Sequence, residues 1–275
     1  MSPAPCFLFR CGSVGRTIAL ETFMPANEMS SPSHDEIREY LHRQMLSSVS
    51  HDLKTPLATI IGSLEVMTLL DGKLSEDKRK TLVSSALTEA FRLDYFITNI
   101  LDMAKFEADA VRPRFESAHL GQMIQDSLSR LGPLKTRGEL EITPVGTHDE
   151  IVTDPMLGAR AIGLVLHNAF KFGSRKAQKS RGKEPPLVEV AYGMKDGYGF
   201  VRIRDHGEGI PDDQQVAVFD KYTRLQKSDQ QAAGTGLGLT ICQHIMRLLH
   251  GRIELANHSE GGAVFTLIYS DNRKP

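Results

Sequence analysis

The sequence predicts an α+β protein in two parts: a long helical hairpin that pairs with a second copy into a dimeric four-helix bundle, then helices on one face of a mostly antiparallel sheet. Three observations lead there. Apolar residues recur every three or four positions over two long stretches, strand-like and helix-like segments alternate after residue 119, and 275 residues with 40% apolar content suffice for a buried core.

The first 34 residues mix prolines and serines with the short run Cys6-Phe7-Leu8-Phe9, too short for a signal-peptide core, and read as a flexible tail. The first stripe runs through Ile37, Leu41, Met45, Val49, Leu53, Leu57, Ile60, Leu64 and Met67, one face of a helix from Asp35 to about Leu70. Asp71-Gly72-Lys73 breaks it. Ser75 can cap a second helix with Glu76 and Asp77 in its first turn, and Leu82, Ala86, Leu93, Ile97, Ile100 and Ala104 continue the pattern. Two such helices cannot bury both stripes alone, which predicts a homodimer.

The hairpin occupies 35–107, and 108–118, with Val111-Arg112-Pro113-Arg114, reads as a linker. In the second domain, 119–275, Leu120 to Leu131 reads as a helix, Leu140 to Pro144 and Ile151 to Thr153 as strands, and Pro155 opens a helix to about Phe172. Ser174 to Pro186, rich in Lys, Arg, Ser and Pro, is expected to be a solvated loop. Strands Leu187 to Met194 and Phe200 to Asp205 form a hairpin joined through Lys195 to Gly199; a helix from about Gly238 to Leu249 and strands near Ile253 and Phe265 complete the domain.

Charge excludes little but is informative: 33 Lys and Arg against 34 Asp and Glu leave no footprint for a nucleic-acid partner. Cys6, Cys11 and Cys242 have no metal-site spacing and fit a reducing compartment, so a cytoplasmic protein without zinc is expected. No run reaches the 18 apolar residues of a membrane span.

Four segments could carry chemistry. In Ser50-His51-Asp52-Leu53-Lys54-Thr55-Pro56-Leu57, His51 and Thr55 share a helix face, and Pro56 deprives the carbonyl of Asp52 of its helical donor, so a bend beside His51 is expected. A neutral imidazole is a nucleophile, and the neighbouring carboxylate can take its proton. Asp205-His206-Gly207-Glu208-Gly209-Ile210-Pro211 follows a strand, where a carboxylate can accept a hydrogen bond from an exocyclic amine and glycines admit a ligand closely; a plain turn is the commoner reading. Gly234-Thr235-Gly236-Leu237-Gly238-Leu239 opens a helix whose bare N–H groups favour phosphate. Asn168 and Lys171, three apart, can offer an amide oxygen to Mg²⁺ and an ammonium to phosphate, or merely form the polar side of an amphipathic helix.

Together, and in this order, the segments resemble the sensor histidine kinases of two-component systems over about Asp35 to Ser270. Ser50 to Leu57 resembles the H-box, Asn168 to Phe172 the N-box, Asp205 to Pro211 and Gly234 to Leu239 the two glycine boxes, and Val218 to Leu225 the F-box before the lid. The wording around His51 and from Val218 to Leu239 is nearest the potassium-responsive sensor kinases. The resemblance implies a dimerisation and phosphotransfer hairpin followed by an ATP-binding α/β sandwich of the type shared with gyrase. It implies that His51 accepts phosphate from ATP, Asp52 takes the proton and Thr55 positions water when the partner response regulator is dephosphorylated. Asn168 would hold Mg²⁺, Lys171 and Arg224 would contact phosphate, Asp205 would bind the adenine amine, and Gly207, Gly209, Gly234, Gly236 and Gly238 would shape the ATP site.

Two departures stand out. Leu164 occupies a position where hydrolytic relatives carry glutamate and many histidine kinases asparagine, which disfavours direct ATP hydrolysis and weakens the expected hold on Mg²⁺. His167 replaces a commonly acidic or amide residue and is expected to face solvent. The alternatives to a kinase are a pseudokinase dimer that binds nucleotide or regulator, and an enzyme acting chiefly as a regulator phosphatase through Thr55. With no sensory domain before Asp35, the stimulus is expected from a partner, an intracellular signal or a portion absent from this chain.

Overall fold

The structure is a computed structural model that describes residues 34–132, 134, 138–179, 187–223 and 236–270, and of these all side chains but those of 34–49, 51 and 174–179. The expected tail therefore lies outside the described residues. The chain divides into two units, residues 1–44 and 45–275, and the second holds every contact described below.

Helix α1, His34–Leu69, runs through Pro56, and α2 spans Glu76–Glu107. Their connection turns at Gly72, whose φ of 71° costs a residue without Cβ nothing. Ser75 caps α2 by accepting the amide of Lys78 at 3.4 Å, with Glu76 and Asp77 where the helix dipole favours acids. Strand β1, Glu116–His119, takes up what reads in sequence as the end of the linker and pairs antiparallel with β3, Glu150–Thr153. Such a four-residue strand has too short a pattern to be legible without its partner.

Helix α3, Leu120–Ser129, buries Leu120, Met123, Ile124 and Leu128 along one face. Helix α4, Pro155–Lys179, starts where Asp154 Oδ1 accepts the amide of Leu157 at 3.0 Å, while Oδ2 of the same carboxylate accepts that of Arg114 at 2.8 Å. It extends past Phe172, so residues 174–179 are helical rather than the expected loop; 180–186 lie outside the described residues. The residues there, Ser-Arg-Lys-Ala-Gln-Lys, include good helix formers, and polarity alone is a poor guide to a helix end.

Strands β2 (Glu139–Val145), β4 (Leu187–Lys195), β5 (Tyr198–Asp205), β6 (Arg252–Asn257) and β7 (Ala263–Ser270) form a sheet in the order β2-β4-β5-β7-β6. Only the β2–β4 pair is parallel, so the sheet is mostly antiparallel as expected. The β4–β5 turn is tighter than the five residues read from sequence: Lys195 pairs with Tyr198, leaving Asp196 and Gly197 at φ of 52° and 82°, the signs of a type I′ turn. One sheet face packs on α3, α4 and α5 (Gly238–Leu248), with Val188, Val190, Val201, Ile203, Phe265 and Leu267 inside. Period-two alternation along β5 puts Asp205 on that same inner face, at the strand's last position.

Candidate functional site

Helix α4 turns Ile162, Val165, Leu166, Ala169 and Phe170 into the core, which leaves Asn168 and Lys171 half-buried on its other side. Leu164, one turn before Asn168, is fully buried. The Lys171 ammonium lies 4.8 Å from the centre of the Phe172 ring.

Asp205, 5% exposed, accepts the amides of Gly207 at 2.8 Å and Ala263 at 3.1 Å through Oδ1, and no described residue donates to Oδ2. Burial holds its carboxyl above the ordinary carboxylate range, and the two amides offset only part of that. The glycine at 207 is needed: a Cβ there would stand 2.9 Å from Asp205 Oδ1 and 3.2 Å from the carbonyl oxygen of Phe172, so this loop abuts the end of the Asn168–Phe172 segment. Gly209 has φ of 77°, and the loop is held by Asn257, which accepts the amide of Ile210 at 2.9 Å and donates to its carbonyl at 2.7 Å. On the far side Gly262 lets the β6–β7 turn close on Asp205, whose carbonyl oxygen would lie 1.8 Å from a Cβ at that position.

Gly236, at φ of 65°, accepts the amide of Tyr222, and Thr240 bonds the carbonyl of Phe219, tying the segment that resembles the F-box to the start of α5. Gly238 opens α5, and its Cβ position is 3.8 Å from the side chain of Leu164. The fold thus assembles Asn168, Lys171, Asp205, Gly207, Gly209, Gly236 and Gly238 from separate stretches of sequence; Arg224 and Gly234 lie outside the described residues. His51, Asp52 and Thr55 form a second group on α1, with Thr55 exposed, Asp52 half-buried and Pro56 buried; the side chain of His51 is outside the described residues.

His167 does not face solvent as expected. Its ring stacks on Tyr95 of α2, centroids 3.8 Å apart and planes 4° apart, and its Nδ1 is buried without a partner. Burial chiefly, with the cations Lys171, Arg160 and Arg92, depresses its pKa to about 3. The helical position of His167 is legible in sequence, but the neighbour covering it, more than 70 residues away, is not. Sequence reasoning also missed Asn257, Gly262 and the amide of Ala263; the glycine pair 261–262 is the one local signal for them.

Residues 41–109 match the family model of the His Kinase A (phospho-acceptor) domain, and residues 153–273 that of the histidine kinase-, DNA gyrase B-, and HSP90-like ATPases. Sensor protein KdpD of Clostridium acetobutylicum is 28% identical over 90% of this chain, and the signal transduction histidine-protein kinase ArlS of Staphylococcus aureus 25% identical over 88%. The chain spans 27% of the first relative's length and 51% of the second's. Histidine kinase ThkA, solved in complex with response regulator protein TrrA, shares the fold over 88% of this chain and 66% of its own, with a TM-score of 0.58 at 17% identity.

Proposed function

The chain belongs to the sensor histidine kinases of two-component systems, and on that premise we propose that it moves the γ-phosphoryl group of ATP to His51 and from there to an aspartate of a response regulator. What supports this reading is that one chain carries His51 within residues matching a phospho-acceptor domain and, within residues matching the ATPase family, an Asp205 loop that abuts the end of the Asn168–Phe172 segment.

Asp205 Oδ2 is the acceptor for the adenine amine, with Oδ1 already fixed by two backbone donors. The N-terminal end of α5, which starts at Gly238, and the Lys171 ammonium meet the phosphates. A ring nitrogen of His51 attacks the γ-phosphorus, the bond to the bridging oxygen breaks, ADP leaves with that electron pair, and Asp52 takes the imidazole proton. A regulator carboxylate then displaces the imidazole from phosphorus, and Thr55, exposed one turn from His51, orients water for the opposing step, in which water attacks the aspartyl phosphate and inorganic phosphate leaves the regulator carboxylate. Mg²⁺ suits the donor set: it keeps waters and phosphate oxygens and needs few protein ligands, and Asn168 offers an amide oxygen although buried Leu164 adds none. When bound it would neutralise phosphate charge.

The exposed apolar residues Leu57, Ile61 and Leu64 of α1 and Leu87 and Leu101 of α2 supply the face for a second copy. No helix among the described residues is long and apolar enough to cross a membrane. The test is incubation with γ-phosphate-labelled ATP and Mg²⁺: wild type takes up acid-labile label and His51→Gln takes up none. Absence of label in a protein that binds ATP would instead favour the nucleotide-binding pseudokinase, with Leu164 as the departure to examine.

A further inference from the structure

Asp205 is the last residue of β5 and faces the core side of the sheet; its two neighbours in sequence, Arg204 and His206, reach the opposite side, where one carboxylate meets both. That carboxylate belongs to Glu189 of β4, which lies directly opposite Arg204 in the strand register and is flanked in sequence by Val188 and Val190 of the core. His206 donates through Nε2 to Glu189 Oε1 at 2.8 Å, and one terminal nitrogen of Arg204 lies 3.5 Å from both Glu189 oxygens. The other terminal nitrogen of Arg204 donates to Glu260, in the β6–β7 turn, at 3.3 Å. None of these groups takes part in the phosphotransfer derived above.

The placement of this cluster bears on Asp205. Glu189 grips the chain on both sides of it, and the turn that carries Glu260 is the one that supplies the Ala263 amide to Asp205 Oδ1. An arginine side chain only 13% exposed is held in place by its carboxylates, because leaving it there unpaired is costly. With Oδ1 fixed by two backbone amides, the direction of Oδ2 follows from where the backbone of Asp205 sits, and that is what Glu189 holds.

We propose that Glu189, acting through His206 and Arg204, is a positioning residue that aims Asp205 Oδ2 and so sets the preference of the site for a purine bearing an exocyclic amine. This rests on the reading of Asp205 as the adenine acceptor. A site built to bond an amine rejects the analogue without it, because the buried acceptor is then left unpaired; an acceptor free to swing loses that discrimination. The phosphates are met by Lys171 and α5, on other elements, so their share of the affinity is kept when the clamp is cut.

The test is calorimetric titration of the full chain with ADP and Mg²⁺, and separately with purine riboside 5′-diphosphate and Mg²⁺, the same nucleotide without the exocyclic amine. Wild type is expected to favour ADP by about tenfold or more, the worth of a hydrogen bond to a charged acceptor. Glu189→Ala and His206→Ala should bring that preference below about threefold through weaker ADP binding alone, while affinity for the amine-free nucleotide stays within about twofold of wild type, which also reports a folded site. Glu189→Gln, which keeps an oxygen toward His206, should hold the preference within about twofold of wild type. If Glu189→Ala fails to fold, His206→Ala carries the result, because that side chain is 33% exposed. Equal losses for both nucleotides, or a preference unchanged in the two alanine variants, overturns the clamp. If Asp205→Asn abolishes the preference and the clamp variants keep it, the clamp fails and the adenine reading stands; if wild type shows no preference, that reading falls and the clamp with it.

Discussion

Asp205 has two tasks, and its two oxygens divide them. Oδ1 closes the loop through Gly207 and Ala263, leaving Oδ2 for the ligand. Asp205→Asn keeps an oxygen for the loop but replaces the ligand acceptor with a donor, so ATP affinity is expected to fall about 10- to 100-fold, read by titration, with the melting temperature nearly unchanged. His167 makes a different demand. Its pKa of about 3 lies below the ordinary histidine value, so the native state binds fewer protons than the unfolded chain between those limits. Its contribution to stability is therefore complete above about pH 6.5 and is lost as pH falls toward 3. Urea midpoints measured from pH 7 to pH 5 should decline more steeply in wild type than in His167→Phe, which keeps the stack on Tyr95 and removes the titration. At Leu164 the structure changes what substitution can achieve. The side chain is fully buried, so Leu164→Asn would restore the amide common in the family at the cost of an apolar core contact, and a melting temperature lowered by several degrees is expected alongside any gain in labelling.

Among the elements, α4 carries Asn168 and Lys171 and depends on Asp154 at its start. That one carboxylate caps the helix through Leu157 and binds the chain entering β1 through Arg114. Asp154→Ala should lower unfolding free energy by about 2 kcal/mol, the upper range for a lost cap, because a second backbone donor loses its partner as well. Denaturant unfolding would check it. Helix α3 is served in the same manner by Asp149, whose Oδ2 accepts the amide of Gly121 and whose Oδ1 meets His119 at 2.9 Å. That pairing raises the pKa of His119 above its ordinary value, so what it adds to stability is present at acid pH and fades as pH rises through the raised pKa. Asp154 directly precedes α4, where helix-start rules look for a cap, whereas Asp149 precedes β3 and reaches α3 only through the fold.

For the molecule as a whole, α2 is shared between two uses. Its buried residues Phe96, Asn99 and Met103 lie against other parts of the chain, while Leu87 and Leu101, two heptads apart, remain about half exposed. With Leu57 and Leu64 of α1 they form the surface on which a second copy is expected to pack. Leu64→Glu combined with Leu101→Glu should convert a dimer to a monomer in sedimentation while leaving nucleotide binding by the ATPase fold in place.

The sequence by itself determined the helical hairpin, the α+β domain, their order and the types of residue at the site. These depend on short-range physics: the 3.6-residue and two-residue periods, the capping Ser75, the Asp-Gly turn and the glycine-rich loops all act over a few positions. Tertiary structure alone decided that β1 exists, that Asn257 and Ala263 secure the Asp205 loop, and that the half-buried His167 stacks on Tyr95 with its Nδ1 shut away from water. Each of those depends on which distant segments meet. A single helix face offers His167 equally to water or to a partner, and only the packing of α2 on α4 removes the water, leaves Nδ1 without a partner and lowers the pKa.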